Sequence, residues 1–128
     1  MERREHSMTW KKKWDYAFYK GTKLQKQIVK DILNHFPELD VSDVVSAPEC
    51  ANGADIQLSD KAKELFPYQI EAKNQNRMKE VYKVFKQATS HGDDTPVAII
   101  KRDDEEALLI MKPEIFYKLV ANQRKENK

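Results

Sequence analysis

Three side chains near the middle of the chain have the types and spacing of a small catalytic centre. Asp55 stands at the start of one predicted β-strand, and Glu71 and Lys73 stand one residue apart in the next predicted strand. Side chains at i and i+2 of a strand point to the same face, so we expect Glu71 and Lys73 to project together. Ile70 and Ala72 would then point the other way. A hairpin between the two strands would bring Asp55 beside Glu71.

These residues supply the donors that a hard divalent metal ion prefers. The carboxylates of Asp55 and Glu71, with the backbone carbonyl of Ala72, form an all-oxygen half-cage suited to Mg²⁺ or Mn²⁺. Such an ion activates a water molecule and neutralises charge on a phosphorus centre, and a second ion can join it. Lys73 would place a point charge at the attacking water or the scissile phosphate. A salt-bridged Glu71–Lys73 pair on a solvated strand uses the same residue types, so the pattern alone does not decide.

Hydrophobic periodicity predicts the elements that would position this centre. We expect a helix over 20–36, with Gly21-Thr22 at its start, Pro37 after its end and one buried apolar stripe. Strands are expected over 39–47, 54–58 and 68–73, with one short helical turn before the last of them. A second helix is expected over 77–91, followed by Gly92 as a stop signal. Its inward residues would be Met78, Val81, Tyr82, Phe85 and Ala88.

The last third of the chain also contains predicted strands and a helix. The nearly continuous apolar run at 96–101 predicts a strand buried on both faces, and 107–111 predicts a further strand. A last helix would begin at Pro113, with Ile115, Phe116, Leu119 and Val120 inward, and fray into a polar tail from residue 122. The order α-β-β-β-α-β-β-α predicts an α/β fold with a mixed central sheet of about five strands flanked by helices.

Length and composition are those of a folded, polar, single-domain chain. At 128 residues and 15.0 kDa it is long enough to bury a core, and its mean hydropathy is −0.81. No apolar run approaches a membrane span and the first residues lack a signal peptide's apolar segment. We therefore expect no membrane partner and a cytoplasmic location, in the host cell if the source is viral. The single cysteine and three scattered histidines exclude an internal disulfide and a Cys/His zinc site.

Charge is distributed unevenly along the chain. Basic residues outnumber acidic ones nine to four over 1–35 and five to two over 67–92, whereas acids lead seven to two over 36–66. This pattern suits an acidic pocket inside a basic rim, as a metal site acting on a phosphodiester requires. Ordinary variation in surface charge produces the same pattern.

We divide the chain into a basic and aromatic arm (1–19), one domain (20–123) and a polar tail (124–128). The aromatic residues of the arm either stack on nucleic acid or pack on the core or on a second subunit. Contacts with the nucleic acid are expected from Lys11, Lys12, Lys13, Lys20, Lys23, Asn74 and Arg77.

The order Asp55, then Glu71-Ala72-Lys73, resembles the motif of the PD-(D/E)XK nuclease superfamily. The likeness is closest to archaeal and viral Holliday junction resolvases and small phage endonucleases, and it covers about residues 20–91. Lys20-Gly21 at the start of the first helix and Ser46-Ala47 at the end of the first strand also fit. The resemblance implies a restriction-endonuclease-like core, with Asp55 and Glu71 as metal ligands and Lys73 as the catalytic lysine. It also implies that Gln87, on the helix after the motif, faces the site.

One position departs from that family's pattern. Archaeal resolvases carry a glutamate four residues after the glycine of Lys-Gly, where this chain has Gln25. An amide holds a metal-bound water but adds no charge. Either the site tolerates Gln25, or Glu49 supplies the missing carboxylate, or activity is weak. Many phage relatives manage without this acid.

The resemblance implies a metal-dependent DNA endonuclease that cuts branched DNA in recombination. Symmetric resolution of a four-way junction needs two cuts, which implies a homodimer, with Phe85 or the arm as candidate contact surfaces. Three alternatives stay open. One is a nuclease on duplex or single-stranded DNA without junction preference, and another is a non-catalytic DNA-binding module, of which Gln25 would be the sign. The third is a structural α/β domain with a coincidental Glu-X-Lys.

Overall fold

The part of the chain that the structure describes forms four helices and two small sheets. A computed structural model of the chain describes residues 10–47 and 54–126, with side chains at 21–47 and 54–125. Within these ranges the helices are α1 (Trp10–His35), α2 (Asp60–Leu65), α3 (Lys79–Thr89) and α4 (Pro113–Glu126). The strands are β1 (Val44–Ser46), β2 (Ile56–Leu58), β3 (Ala98–Ile100) and β4 (Leu108–Ile110). None of these helices is long and apolar enough to span a membrane.

The strands form two separate antiparallel pairs, β1–β2 and β3–β4. The predicted α/β class is confirmed, but the predicted mixed sheet of about five strands is wrong. The pairing explains the difference, because each described strand has one hydrogen-bonded neighbour and no strand bridges the two pairs.

Helix α1 begins at Trp10 rather than at residue 20. Gly21 and Thr22 therefore lie inside the helix, so their predicted role as its start is wrong, and the boundary drawn at residue 19 falls within one continuous helix. One glycine costs a helix only about 1 kcal/mol, too little to end it. The predicted apolar stripe is confirmed, since Ile32 and Phe36 are buried. The helix ends at His35, shortly before Pro37 as predicted.

Strands β1 and β2 pair with Val45 opposite Gln57. One backbone bond beyond the ladder, from the N–H of Ala47 to the carbonyl of Asp55 (2.8 Å), extends the pairing toward the candidate catalytic residues. The two strands are shorter than predicted and pair with each other, whereas the predicted hairpin between 54–58 and 68–73 does not form.

Ser59 connects β2 to the short helix α2. Its Oγ accepts the N–H of Ala62 at 3.1 Å as an N-cap and donates to the Asp43 carboxylate at 2.7 Å. The Asp43 carboxylate also accepts the N–H of Asp40 at 2.9 Å, and these two bonds lower the pKa of Asp43. The predicted short helical turn before Pro67 is thus confirmed.

One hydrophobic core joins α1, the first sheet, α2 and α4. Phe66 is fully buried within it, and its ring meets those of Phe36 at 5.7 Å, Tyr68 at 4.8 Å and Phe116 at 5.8 Å. Tyr117 is buried beside Phe66, and burial raises the pKa of its hydroxyl to about 12. No residue of α3, β3 or β4 belongs to this core cluster.

Helix α4 begins at Pro113 as predicted and continues to Glu126, so the predicted fraying from residue 122 is wrong. Tyr117 and Val120 are its buried residues, whereas Leu119, predicted to face inward, is 55% exposed. The Nη1 of Arg124 donates to the carbonyl of Glu64 at 2.8 Å. This bond connects the last turns of α4 to α2.

The second sheet carries exposed apolar side chains. Ile99 stands opposite Leu109, and these residues are 69% and 58% exposed, whereas Ala98 is buried. The prediction of a central strand covered on both faces is wrong here. An apolar run is buried on both faces only when further elements cover it, and β3 has a single neighbouring strand.

Replacing Gly21 by alanine and replacing Gly92 by alanine should change the stability of the protein in opposite directions. A Cβ added at either position would meet no atom within 4 Å, so the backbone alone differs. Gly21→Ala is expected to raise the free energy of unfolding by about 0.5–1 kcal/mol, because alanine is the better helix former. Gly92 has a φ of +153°, a backbone conformation that is strained for residues with a side chain. Gly92→Ala is therefore expected to lower the free energy of unfolding by about 1–3 kcal/mol. Urea denaturation measures both, and a less stable Gly21→Ala would contradict a continuous α1.

Candidate functional site

Asp55 ties three segments of the chain together. The chain bends at this residue just before β2. Its carbonyl accepts the N–H of Ala47, at the end of β1, and its own N–H donates to the carbonyl of Ile70 at 2.9 Å. Its carboxylate oxygen Oδ2 accepts the N–H of Ala72 at 2.6 Å. The structure therefore places the acid of the motif directly against the segment that carries the rest of it.

The segment 68–73 is extended but is not a strand of either sheet, which corrects the prediction of a third strand. One backbone bond, between Asp55 and Ile70, reaches it from β2, too little for a ladder. Side-chain packing holds it instead. Tyr68 packs edge-on against Phe66 at 4.8 Å and Phe116 at 4.9 Å, and Ile70 packs against the core.

Burial alternates over residues 70–73 in the way that the strand pattern predicts. Ile70 and Ala72 are half-buried, whereas Glu71 and Lys73 are exposed. The carboxylate and the ammonium of the motif are thus both on the solvent side, on either side of the residue whose N–H bonds Asp55. A substrate approaching from solvent meets both groups.

The donors at this place fit a magnesium ion in their chemistry. Asp55 already accepts one hydrogen bond, but a carboxylate has about four lone-pair sites and can ligate as well. No group of three or more His, Cys, Asp or Glu side chains in the described ranges could hold a metal ion. Mg²⁺ does not need one, since one or two carboxylates with waters and substrate phosphates suffice. The residues that would hold it are Asp55, Glu71 and, through its carbonyl, Ala72.

The two predicted glutamines lie on different helices. Gln25 is half-buried on α1, and Gln87 is exposed on α3. Gln87 lines a surface depression formed by α3 and Ser90, and that depression includes neither Asp55 nor Lys73. The contacts described do not bring Gln87 to the motif. Glu49, the alternative acid, lies outside the described residues.

The predicted nucleic-acid contacts fall into two groups. Lys23 is exposed on α1 and lines a shallow depression with Lys26 and Lys30. Asn74 and Arg77 are exposed and follow Lys73 directly along the chain. The side chains of the remaining predicted lysines lie outside the described residues; these are Lys11, Lys12, Lys13 and Lys20.

The predicted orientation of Tyr82 on α3 is wrong. Tyr82 was predicted to face inward, but it is 61% exposed on α3 among lysines. The inward positions are half-buried Met78, Val81, Phe85 and Ala88, which repeat at intervals of three and four. That repeat completes one stripe without Tyr82, and it is the sequence signal that would have placed the ring at the edge.

Comparisons of the chain with protein-family models, with curated proteins and with solved structures each gave no match. The interpretation of this site therefore rests on its residues and their geometry.

The hydrogen bond between Asp55 and Ala72 predicts different effects for two substitutions of the acid. Asp55→Ala leaves the half-buried N–H of Ala72 without this partner, and we expect it to lower the free energy of unfolding by about 1–3 kcal/mol. Asp55→Asn keeps an acceptor oxygen and should cost less. Exposed Glu71→Ala is the matched control, expected to stay within about 0.5 kcal/mol of wild type. Urea denaturation measures all three, and an Asp55→Ala variant as stable as wild type would contradict the contact.

Proposed function

We propose that this chain is a divalent-metal-dependent endodeoxyribonuclease, with Asp55, Glu71 and Lys73 as its catalytic residues. The observation that carries the proposal is the 2.6 Å bond from the N–H of Ala72 to the Asp55 carboxylate. It joins residues 17 positions apart and brings the first acid of the motif to the segment that carries Glu71 and Lys73. A Glu-X-Lys sequence that served only a solvated strand would not need an acid at that place.

The absence of a Glu–Lys ion pair also supports the proposal. Within the described part of the chain, Glu114 contacts the His35 ring and forms a salt bridge with Lys118, and no salt bridge joins Glu71 to Lys73. The alternative reading of the motif as a surface salt bridge therefore lacks its contact. Both side chains remain available to a ligand.

Each residue of the centre has a distinct role in the proposed reaction. A bound Mg²⁺ or Mn²⁺ would activate water and neutralise charge on the phosphate. Asp55 and Glu71 would hold it, and the hydrogen bond from Ala72 fixes the orientation of the Asp55 carboxylate. Lys73 would direct its ammonium to the scissile phosphate or the attacking water, where charge develops in the transition state.

Branched DNA is the proposed substrate and a homodimer the proposed assembly. The resemblance to Holliday junction resolvases favours both, because symmetric resolution takes two cuts. Such an enzyme would act on DNA in the cytoplasm, that of the host cell if its source is viral.

A non-catalytic DNA-binding module is the second candidate. Two observations favour it: Gln25 stands where archaeal resolvases have an acid, and the described residues contain no cluster of three metal-binding side chains. Such a module would keep the lysine-rich surfaces of α1 and α3 and bind DNA without cutting it.

Cleavage assays separate the two candidates. Wild type is incubated with four-way junction, duplex and single-stranded DNA, in Mg²⁺, in Mn²⁺ or in chelator. We expect metal-dependent cleavage, with the junction cut fastest, and a loss of about 100-fold or more in Lys73→Ala and Asp55→Asn. Lys112→Ala removes an exposed lysine elsewhere and should cut like wild type.

Two outcomes would contradict the proposal. Cleavage that survives both Lys73→Ala and Asp55→Asn would show that the catalytic centre lies elsewhere. Binding without cleavage, equal in metal and in chelator, would favour the non-catalytic module.

A further inference from the structure

One face of α3 concentrates basic and aromatic groups on a single surface. An open depression of about 640 Å³ there is lined by six residues, which we call the α3 basic face: Lys79, Tyr82, Lys83, Lys86, Gln87 and Ser90. All six are exposed. Their spacings of three and four place them as neighbours along the helix surface.

The charge of this face is uncompensated. None of its three lysines forms an ion pair within the part of the chain that the structure describes. The one acid of α3, Glu80, is not among the lining residues. Like charges at these spacings destabilise an isolated helix, so the arrangement favours an anionic partner.

The spacing of the lysines suits a phosphodiester backbone. Lys79 and Lys86 are seven positions apart, which is about 10 Å along a helix axis. Each strand of duplex DNA places one phosphate per roughly 3.4 Å of helix axis, and an unpaired strand extends further per nucleotide, so up to about three phosphates fit beside the three lysines. An acidic peptide offers charge but gives an exposed aromatic ring no stacking partner.

Tyr82 determines which form of nucleic acid fits. Its ring is 61% exposed, with Lys79 one turn before it and Lys86 one turn after it. Aromatic rings between phosphate-binding lysines stack on bases. In a duplex the bases are stacked on one another and their faces are closed to such a ring.

We propose that the α3 basic face binds an unpaired nucleic acid strand. Its lysines contact successive phosphates, and Tyr82 stacks on one base. This surface is distinct from the contacts expected on α1 and beside Lys73. The feature of the substrate that this surface recognises is an unpaired segment. Binding of that segment stands by itself, and only its connection with cleavage rests on the proposed function.

Binding is tested without metal, so that no strand is cut. A fluorescent oligothymidylate is titrated with full-length protein in chelator, at several salt concentrations, and followed by anisotropy. The test variant replaces the three lysines of the α3 basic face by alanine. The matched control replaces three exposed lysines elsewhere and loses the same charge: Lys63, Lys112 and Lys125.

The test variant should reduce the magnitude of the negative slope of log affinity against log salt by about 2, since up to about three phosphate contacts are lost at about 0.7 each. The control should keep the wild-type slope. Tyr82→Ala is expected to weaken binding about 5- to 100-fold, and Tyr82→Phe, which keeps the ring, should bind like wild type. Circular dichroism verifies that each variant is folded.

Three results would overturn the proposal. These are equal losses in the two triple variants, no effect of Tyr82→Ala, and polyglutamate or duplex DNA bound more tightly than the oligothymidylate. Its failure is distinguishable from failure of the proposed function, because Asp55→Asn should abolish cleavage and still bind the single strand. A protein that binds the single strand through α3 but does not cut DNA would contradict the proposed nuclease activity and leave the proposed binding surface intact.

Discussion

The buried ring of Phe66 is the contact on which the position of the candidate site depends. It lies in the core between α1 and α4, and Tyr68 packs against it at 4.8 Å. Because Tyr68 begins the extended segment, the core determines where that segment runs, and Ile70 adds a second contact. Asp55 then holds the far end of the segment through the N–H of Ala72. The core thus positions the motif while Glu71 and Lys73 stay exposed to solvent.

Patterns among residues close in sequence correctly predicted which side chains face the core and which face solvent in several elements. The period of the apolar residues placed Ile32 and Phe36 in the core, and the alternation along the extended segment put Glu71 and Lys73 on the solvent side. The length of the gap before that segment allowed Asp55 to reach it. Each of these features depends on local backbone geometry, which can be inferred from a single sequence.

The remaining features depend on what packs against each element, and one sequence does not show that. The apolar run of β3 predicted burial on both faces, but Ile99 is exposed because no described element packs over the face of the sheet that carries it. Helix α1 passes through Gly21 because a cost of about 1 kcal/mol does not end a long helix. The predicted five-stranded sheet does not form for two reasons. Asp55 supplies one backbone bond to the segment 68–73 where a ladder needs several, and no described strand joins β1–β2 to β3–β4.

The amide of Ala72 reports directly on the central claim, that Asp55 and Glu71 hold the metal ion of a phosphodiester-cleaving site. Its N–H donates to the Asp55 carboxylate, so a cation bound there changes its chemical shift. Titration of ¹⁵N-labelled protein with Mg²⁺ should shift the Ala72 and Glu71 amides saturably in wild type and leave them unmoved in Asp55→Asn. A wild-type Ala72 signal that does not respond, or an equal response in Asp55→Asn, would contradict the account.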